Sequence, residues 1–213
     1  MGVTQWVENP RGGRERGPRG LLRAWGEVLV RPQRFFRNGV APGDQAPGLA
    51  FAIAVTFVFV GSRMAFAPGG VSGYERIAAA TGSVYLSGLI LLGAACFLVA
   101  PLALHLAAAL GTLALLPVVN DRAGVSETVQ VIAYASAPAV FVAVPIPAVQ
   151  LVAALYGCSL LIIGFSVVHE TSIPRALVAG IVPAVFVFGF AFGGISAFEA
   201  VTGVAITPTS ATG

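Results

Sequence analysis

Not one charged residue stands between Glu127 and His169. Within that interval, Ala133 to His169 reads A-Y-A-S-A-P, then an apolar run broken by Pro145-Ile146-Pro147, then a second apolar run ending in S-V-V-H-E. A helix that crosses a bilayer needs about 20 mostly apolar residues, and in hydrocarbon only a helix or a closed barrel satisfies its own backbone. Two runs of roughly that length, joined by a turn too tight and too apolar to be a soluble linker, predict a transmembrane hairpin. The remainder of the chain has the same character: 57% of residues are hydrophobic and 10% charged, whereas soluble domains carry about a quarter charged residues. The expected fold class is all-α and polytopic, with five transmembrane helices and an amino-terminal amphipathic interfacial helix.

All twelve basic residues are arginine, and eight of them, Arg11, Arg14, Arg16, Arg19, Arg23, Arg31, Arg34 and Arg37, precede the first apolar run. Arginine-rich segments resist translocation, which places the amino terminus in the cytoplasm. Leu21-Leu22 is too short for the core of a signal peptide, so none is expected. The segment R-G-G-R-E-R-G-P-R-G is similar to an RNA-binding tract, but beside a membrane it reads as a topology signal, and no nucleic-acid partner is expected.

In chain order, residues 1–18 form a basic, disordered tail. Residues 19–46 form the interfacial segment: Leu21, Leu22, Trp25, Val28 and Leu29 recur at helical spacing, with Arg19, Arg23 and Glu27 elsewhere, as in a helix lying at the membrane surface or on the cytoplasmic ends of the bundle. Pro32 ends it, and Arg34-Phe35-Phe36-Arg37 sets two rings between cations, suited to the headgroup region. Residues 47–197 hold spans at about 47–66, 84–108, 126–144, 148–168 and 175–197, and residues 198–213 are a short polar tail. Residues 109–121 are read as interfacial or re-entrant. Ser126 is expected to cap the third span, Pro138 to bend it, and Pro145 and Pro147 to turn the chain outside. Gly189 and Gly193 are one helical turn apart, a spacing that lets another helix approach closely. Phe186 and Phe190 would flank that groove, with Phe188 and Phe192 directed toward acyl chains. An odd number of spans leaves the carboxyl terminus outside a multi-pass cell-membrane protein.

Several of these residues together carry a resemblance. W-x-x-V-L-V-x-P-x-x-F-F (Trp25 to Phe36), a second span with a short polar link, Y-A-S-A-P (Tyr134 to Pro138) opening a proline-broken hairpin, and a His-containing link (His169) before a fifth span are similar to the prokaryotic branch of the Yip family. These Ypt/Rab-interacting membrane proteins have five transmembrane helices and a cytoplasmic amino terminus. The acidic D-L-Y-G-P-type segment that eukaryotic members carry before the first span is missing. The resemblance therefore implies a membrane-organising or adaptor protein, with a membrane-protein or small-GTPase-like partner, and homo-oligomerisation, left open.

Catalytic constellations are weak. His105 and His169 both map to cytoplasmic ends of spans, where an imidazole stays hydrated, and no H-x-x-x-H, H-E-x-x-H or C-x-x-C spacing occurs, so neither a metal nor a cofactor is expected. Cys96 and Cys158 read as small apolar side chains, and Ser136, Ser159 and Ser166 as helix residues bonded to backbone. A small-solute transporter or channel using Pro101, Pro138 and Pro183 is the main rival, because broken helices can line a substrate path. Against it stand the near absence of intramembrane charge and of a repeat relating two halves. A membrane-embedded enzyme ranks below both.

Overall fold

The structure, a computed structural model, describes residues 8–9, 13–14, 17–66, 68–71 and 73–207. Most of the expected disordered tail lies outside these residues; Glu8–Asn9 and Gly13–Arg14 pair as a short antiparallel ladder. From Pro18 the chain is helical. Two short helices, α1 (Pro18–Val30) and α2 (Pro32–Gly39), precede five helices long and apolar enough to cross a membrane: span 1 (Ala46–Phe66), span 2 (Val84–Leu115), span 3 (Val125–Ala143), span 4 (Pro147–Val168) and span 5 (Ile173–Ala191). A closing helix, Gly194–Thr202, follows. The links at residues 40–45, 116–124 and 169–172 share one end of the bundle, called proximal below. The described residues between spans 1 and 2, 68–71 and 73–83, the link at 144–146 and the closing helix share the distal end.

Span 3 is the centre of the bundle. Of its apolar stretch 72% is buried, against 11% in spans 1 and 2, 39% in span 4 and 33% in span 5. Composition alone would not rank it so, because span 3 is the least hydropathic of the five. Its polar side chains Thr128, Gln130 and Ser136 are buried within protein, which is where a bilayer protein must keep them.

Proline shapes three spans, each differently. Span 2 does not stop near Ala108; it continues unbroken to Leu115, since no breaker stands before Pro117. Residues 111–115 therefore continue the helix of span 2. At 32 residues this helix is about 48 Å long, well beyond a hydrocarbon core of roughly 30 Å, so it tilts or protrudes. Pro101 is accommodated by a π-helical turn over Ala95–Val99, in which the Ala100 N–H bonds the Ala95 carbonyl; the wider turn takes up the ring that an α-helix would clash with. Pro183, by contrast, lies inside the α-helix Ile173–Ala184, and π-helical turns follow it over Val185–Ala191. In span 3 the α-helix ends at Ala135 and the chain tightens into a 3₁₀ helix over Ala137–Ala143, with Pro138 in its first turn. Span 3 starts at Val125 with Gly124 as its cap, so Ser126 lies inside the first turn rather than capping it.

Close packing depends on glycines that face large side chains. A methyl group on Gly164 would sit 2.5 Å from Val131 Cγ1 and 3.0 Å from Phe36 Cζ, and one on Gly111 would sit 3.0 Å from Phe165 Cζ. Gly61, in span 1, has open space around it. Gly164→Leu should lower the unfolding free energy in detergent by about 3 kcal/mol, the upper range for overpacking, while Gly61→Leu leaves the melting temperature unchanged or higher. Thermal unfolding followed by circular dichroism compares the two.

Candidate functional site

The structure brings Trp25, Phe35, Phe36, Tyr134 and Pro138 to one place, where α1 and α2 meet the break in span 3. The rings of Phe35 and Phe36 do not lie among headgroups. They are 2% and 1% exposed, because α2 is a short amphipathic helix of about two turns whose arginines face outward while its rings point into the bundle. Tyr134 is fully buried, edge-on to Phe35 at 4.8 Å and to Phe51 at 5.1 Å. Such T-shaped pairs match the positive edge of one ring to the negative face of the next. Gly164 supplies the space for Phe36.

α1 lies against the break in span 3, touching both its α-helical and its 3₁₀ parts. Trp25 packs on Phe141 with ring centroids 5.7 Å apart, and its indole Nε1 donates to the Ala137 carbonyl at 2.9 Å. From the other side, Gln150 Nε2 donates to the carbonyls of Val142 and Val144, each at 3.1 Å, and Tyr156 donates to the Leu29 carbonyl. Pro145 stands in the short link between spans 3 and 4, in which Ile146 N–H bonds the Val144 carbonyl at 2.8 Å, and Pro147 begins span 4 as its first helical residue.

Sequence reasoning missed Gln130. Its amide pairs with both backbone groups of Ala41: Ala41 N–H donates to Oε1 at 2.9 Å and Nε2 donates to the Ala41 carbonyl at 2.7 Å. Glu127 Oε1 accepts from Gly43 N–H at 2.8 Å. One turn of span 3 therefore holds the link from α2 to span 1, and Gly48, whose Cβ would lie 2.9 Å from Gln130 Cα, lets span 1 approach. A lone uncharged polar residue in an apolar run was the available signal, since such a residue is buried with a partner or absent.

His169 departs from its expected hydrated position. It is 1% exposed, follows span 4, and sits edge-on to Phe165 at 5.4 Å with Nε2 3.4 Å from Thr128 Oγ1. Its Nδ1 has no hydrogen-bond partner among the described residues. Burial pushes its pKa down to about 4; the charge of Glu127 raises it and that of Arg122 lowers it. His105 is exposed on span 2 and pairs with its own helix, Nδ1 to the Pro101 carbonyl at 2.7 Å. Cys96 and Cys158 are free thiols. Among the described residues no group of three or more His, Cys, Asp or Glu side chains is placed to hold a metal ion.

Gly189 and Gly193 do not share a helix face. Gly193 has φ +72° and ends the π-helical segment, a left-handed conformation that glycine adopts without a Cβ penalty. A Cβ there would meet nothing, and one on Gly189 would meet Ile195 of the closing helix at 3.2 Å. The close approach occurs instead at Gly157 in span 4, against Phe188. Accordingly Phe188 is buried at 2% and Phe190 is exposed at 63%, the reverse of their expected placement, because the π-helical turns rotate this segment away from the 100° spacing on which that expectation relied.

A proline-broken central helix, wrapped by four further spans and clamped by an amino-terminal helix pair, defines an integral membrane protein of five spans. The Yip1 domain model matches residues 26–195, and the chain belongs to the Yip1 domain family. No curated protein and no solved structure matches it.

Two expectations concern the span 3 clamps. Gln130→Leu strands the buried Ala41 N–H, while the Ala41 carbonyl keeps the Asp44 N–H at 3.3 Å, so stability in detergent should fall by about 1–3 kcal/mol, the cost of one stranded group. For His169 the folded pKa is depressed, so the unfolded chain binds the extra proton between the two values. Stability should be complete above the unfolded pKa near 6.5 and fall by roughly 3 kcal/mol as pH drops toward 4. His169→Gln should flatten that pH dependence in chemical unfolding at pH 7, 5.5 and 4.5.

Proposed function

We propose that this chain is a non-catalytic membrane-organising or adaptor protein of the prokaryotic branch of its family. It sits in the cell membrane with its amino terminus in the cytoplasm and its carboxyl terminus outside. The observation that carries this reading is how the buried polar side chains of span 3 are used. Gln130 holds Ala41, Ser136 Oγ donates to the Ala133 carbonyl at 2.6 Å, and Thr128 Oγ1 donates to the Gly124 carbonyl at 3.2 Å. Each faces backbone of its own chain, as in a packed scaffold; a solute path leaves such groups for the solute. Spans 1 and 2, each 11% buried, supply the surface for a membrane-protein partner or a second copy. The exposed Arg31, between α1 and α2, and Arg34 and Arg37 of α2 supply a cytoplasmic face for a soluble, acidic partner of small-GTPase type. The proximal end also carries Arg122 and Arg175, which favours its cytoplasmic placement.

Two measurements test this. In a background lacking Cys96 and Cys158, single cysteines at Glu75, Ile146 and Val204 should react with an impermeant maleimide on intact cells, and cysteines at Asn120 and Ser172 should react only after lysis. Labelling of Ser172→Cys on intact cells would rule the orientation out. Photo-crosslinkers placed along spans 1 and 2 in native membranes should trap a discrete protein neighbour, and lipid adducts alone at every position would sink the adaptor reading.

A further inference from the structure

At the distal end, span 1, the start of span 4, the end of span 5 and the closing helix surround a chamber of about 470 Å³. Its wall carries one charge, Arg63, together with the uncharged polar side chains Gln150 and Ser196, and none of the residues lining it is acidic. The Arg63 guanidinium lies over the Phe59 ring, 5.9 Å from its centroid, a cation–π contact that holds it beside the apolar wall. Gln150 uses its Nε2 on two carbonyls of the 3₁₀ segment and its turn, which leaves its Oε1 as an acceptor.

Deeper in the bundle lies a second chamber of about 150 Å³, bounded by span 1, the π-helical turns of spans 2 and 5, and the break in span 3. Its lining is apolar except for Thr56 and Ser136, and Ser136 already donates to its own helix. Water needs two to four polar partners to occupy such a space, and an apolar cavity of this size stays dry and takes up hydrocarbon. Phe59, Val60, Ala191 and Phe192 line both chambers, with Phe59 and Phe192 edge-to-face at 5.2 Å. The two chambers therefore abut: a cationic one near the end of the spans and an apolar one beneath it.

We infer that these adjoining chambers bind one anionic phospholipid, its phosphate on Arg63 and part of an acyl chain in the apolar chamber. The polarity runs the right way for a lipid of the distal leaflet. Arginine presents a planar fork of donors that matches phosphate oxygens. A headgroup bearing its own ammonium finds no carboxylate in this wall, so a net negative headgroup such as phosphatidylglycerol is preferred. Its glycerol hydroxyls meet acceptors at Gln150 Oε1 and Ser196. The π-helical turns of span 5 border both chambers, and those of span 2 border the apolar one.

Native mass spectrometry of the delipidated full chain, titrated with phosphatidylglycerol, phosphatidylcholine or inorganic phosphate, tests the inference. One tightly held phosphatidylglycerol is expected, with phosphatidylcholine at least tenfold weaker and inorganic phosphate giving no thermal protection. Arg63→Gln should weaken phosphatidylglycerol at least tenfold, and Arg63→Lys should recover part of the loss. Ala103→Phe, which fills the apolar chamber, should weaken it with no change in charge; if that variant fails to fold, Ala100→Phe reads the same chamber. Equal retention of the two lipids with no effect of Arg63→Gln would overturn the site. Protection by inorganic phosphate equal to that by phosphatidylglycerol would overturn the acyl part, as would unchanged binding in both chamber-filling variants.

Discussion

Hydrocarbon offers no hydrogen bonds, so each backbone carbonyl that a proline releases must find a partner within the protein. The same demand holds for carbonyls beyond the break in span 3, at Ala137, Val142 and Val144. The break leaves span 3 with a 3₁₀ half whose carbonyls are met from two sides, by Trp25 of α1 and by Gln150 of span 4. A helix that needs outside partners along its length belongs at the centre, and span 3 is there. α1 and α2 then become part of the bundle rather than attachments to it. Trp25 completes the distal half of the span, and Phe35 and Phe36 pack against Tyr134 and Gly164 near the break.

The other prolines show how the same constraint has more than one solution. At Pro101 and Pro183 the helix continues through π-helical turns, which widen the coil and keep the chain within its span. At Pro138 it tightens instead. Widened turns on two helices and a tightened one on a third face a common space, which is how an apolar chamber comes to lie at the middle of a small bundle. An adaptor role and a bound lipid are compatible on this geometry: a lipid seated among spans 1, 2, 3 and 5 would bias the outward surface of spans 1 and 2, the least buried of the five.

His169 and Gln130 illustrate two ways of burying a polar group near the proximal end. Gln130 is matched donor for donor and acceptor for acceptor with Ala41, so its burial stabilises the link it holds. His169 is half matched, through Thr128, and burial favours its neutral form; the neighbouring Glu127 and Arg122 pull in opposite directions and leave desolvation to decide its charge state.

Apolar run length determined the class of this protein, the number of its spans and the hairpin at Pro145 and Pro147, because the thickness of a bilayer and the absence of water within it leave few alternatives. Short motifs from Trp25 to Phe36 and from Tyr134 to Pro138 were enough to mark the family. Sequence did not determine which span lies at the centre, since burial within protein and burial within lipid demand the same apolar residues. Nor did it show that Phe35 and Phe36 turn inward, that His169 is enclosed, or that Gly193 ends a helix rather than lining one. Those depend on which turns become π-helical or 3₁₀, and hence on the facing of each later side chain. Only the packed tertiary structure fixes that rotation, because it arises where a proline on one helix meets the glycines and rings of another.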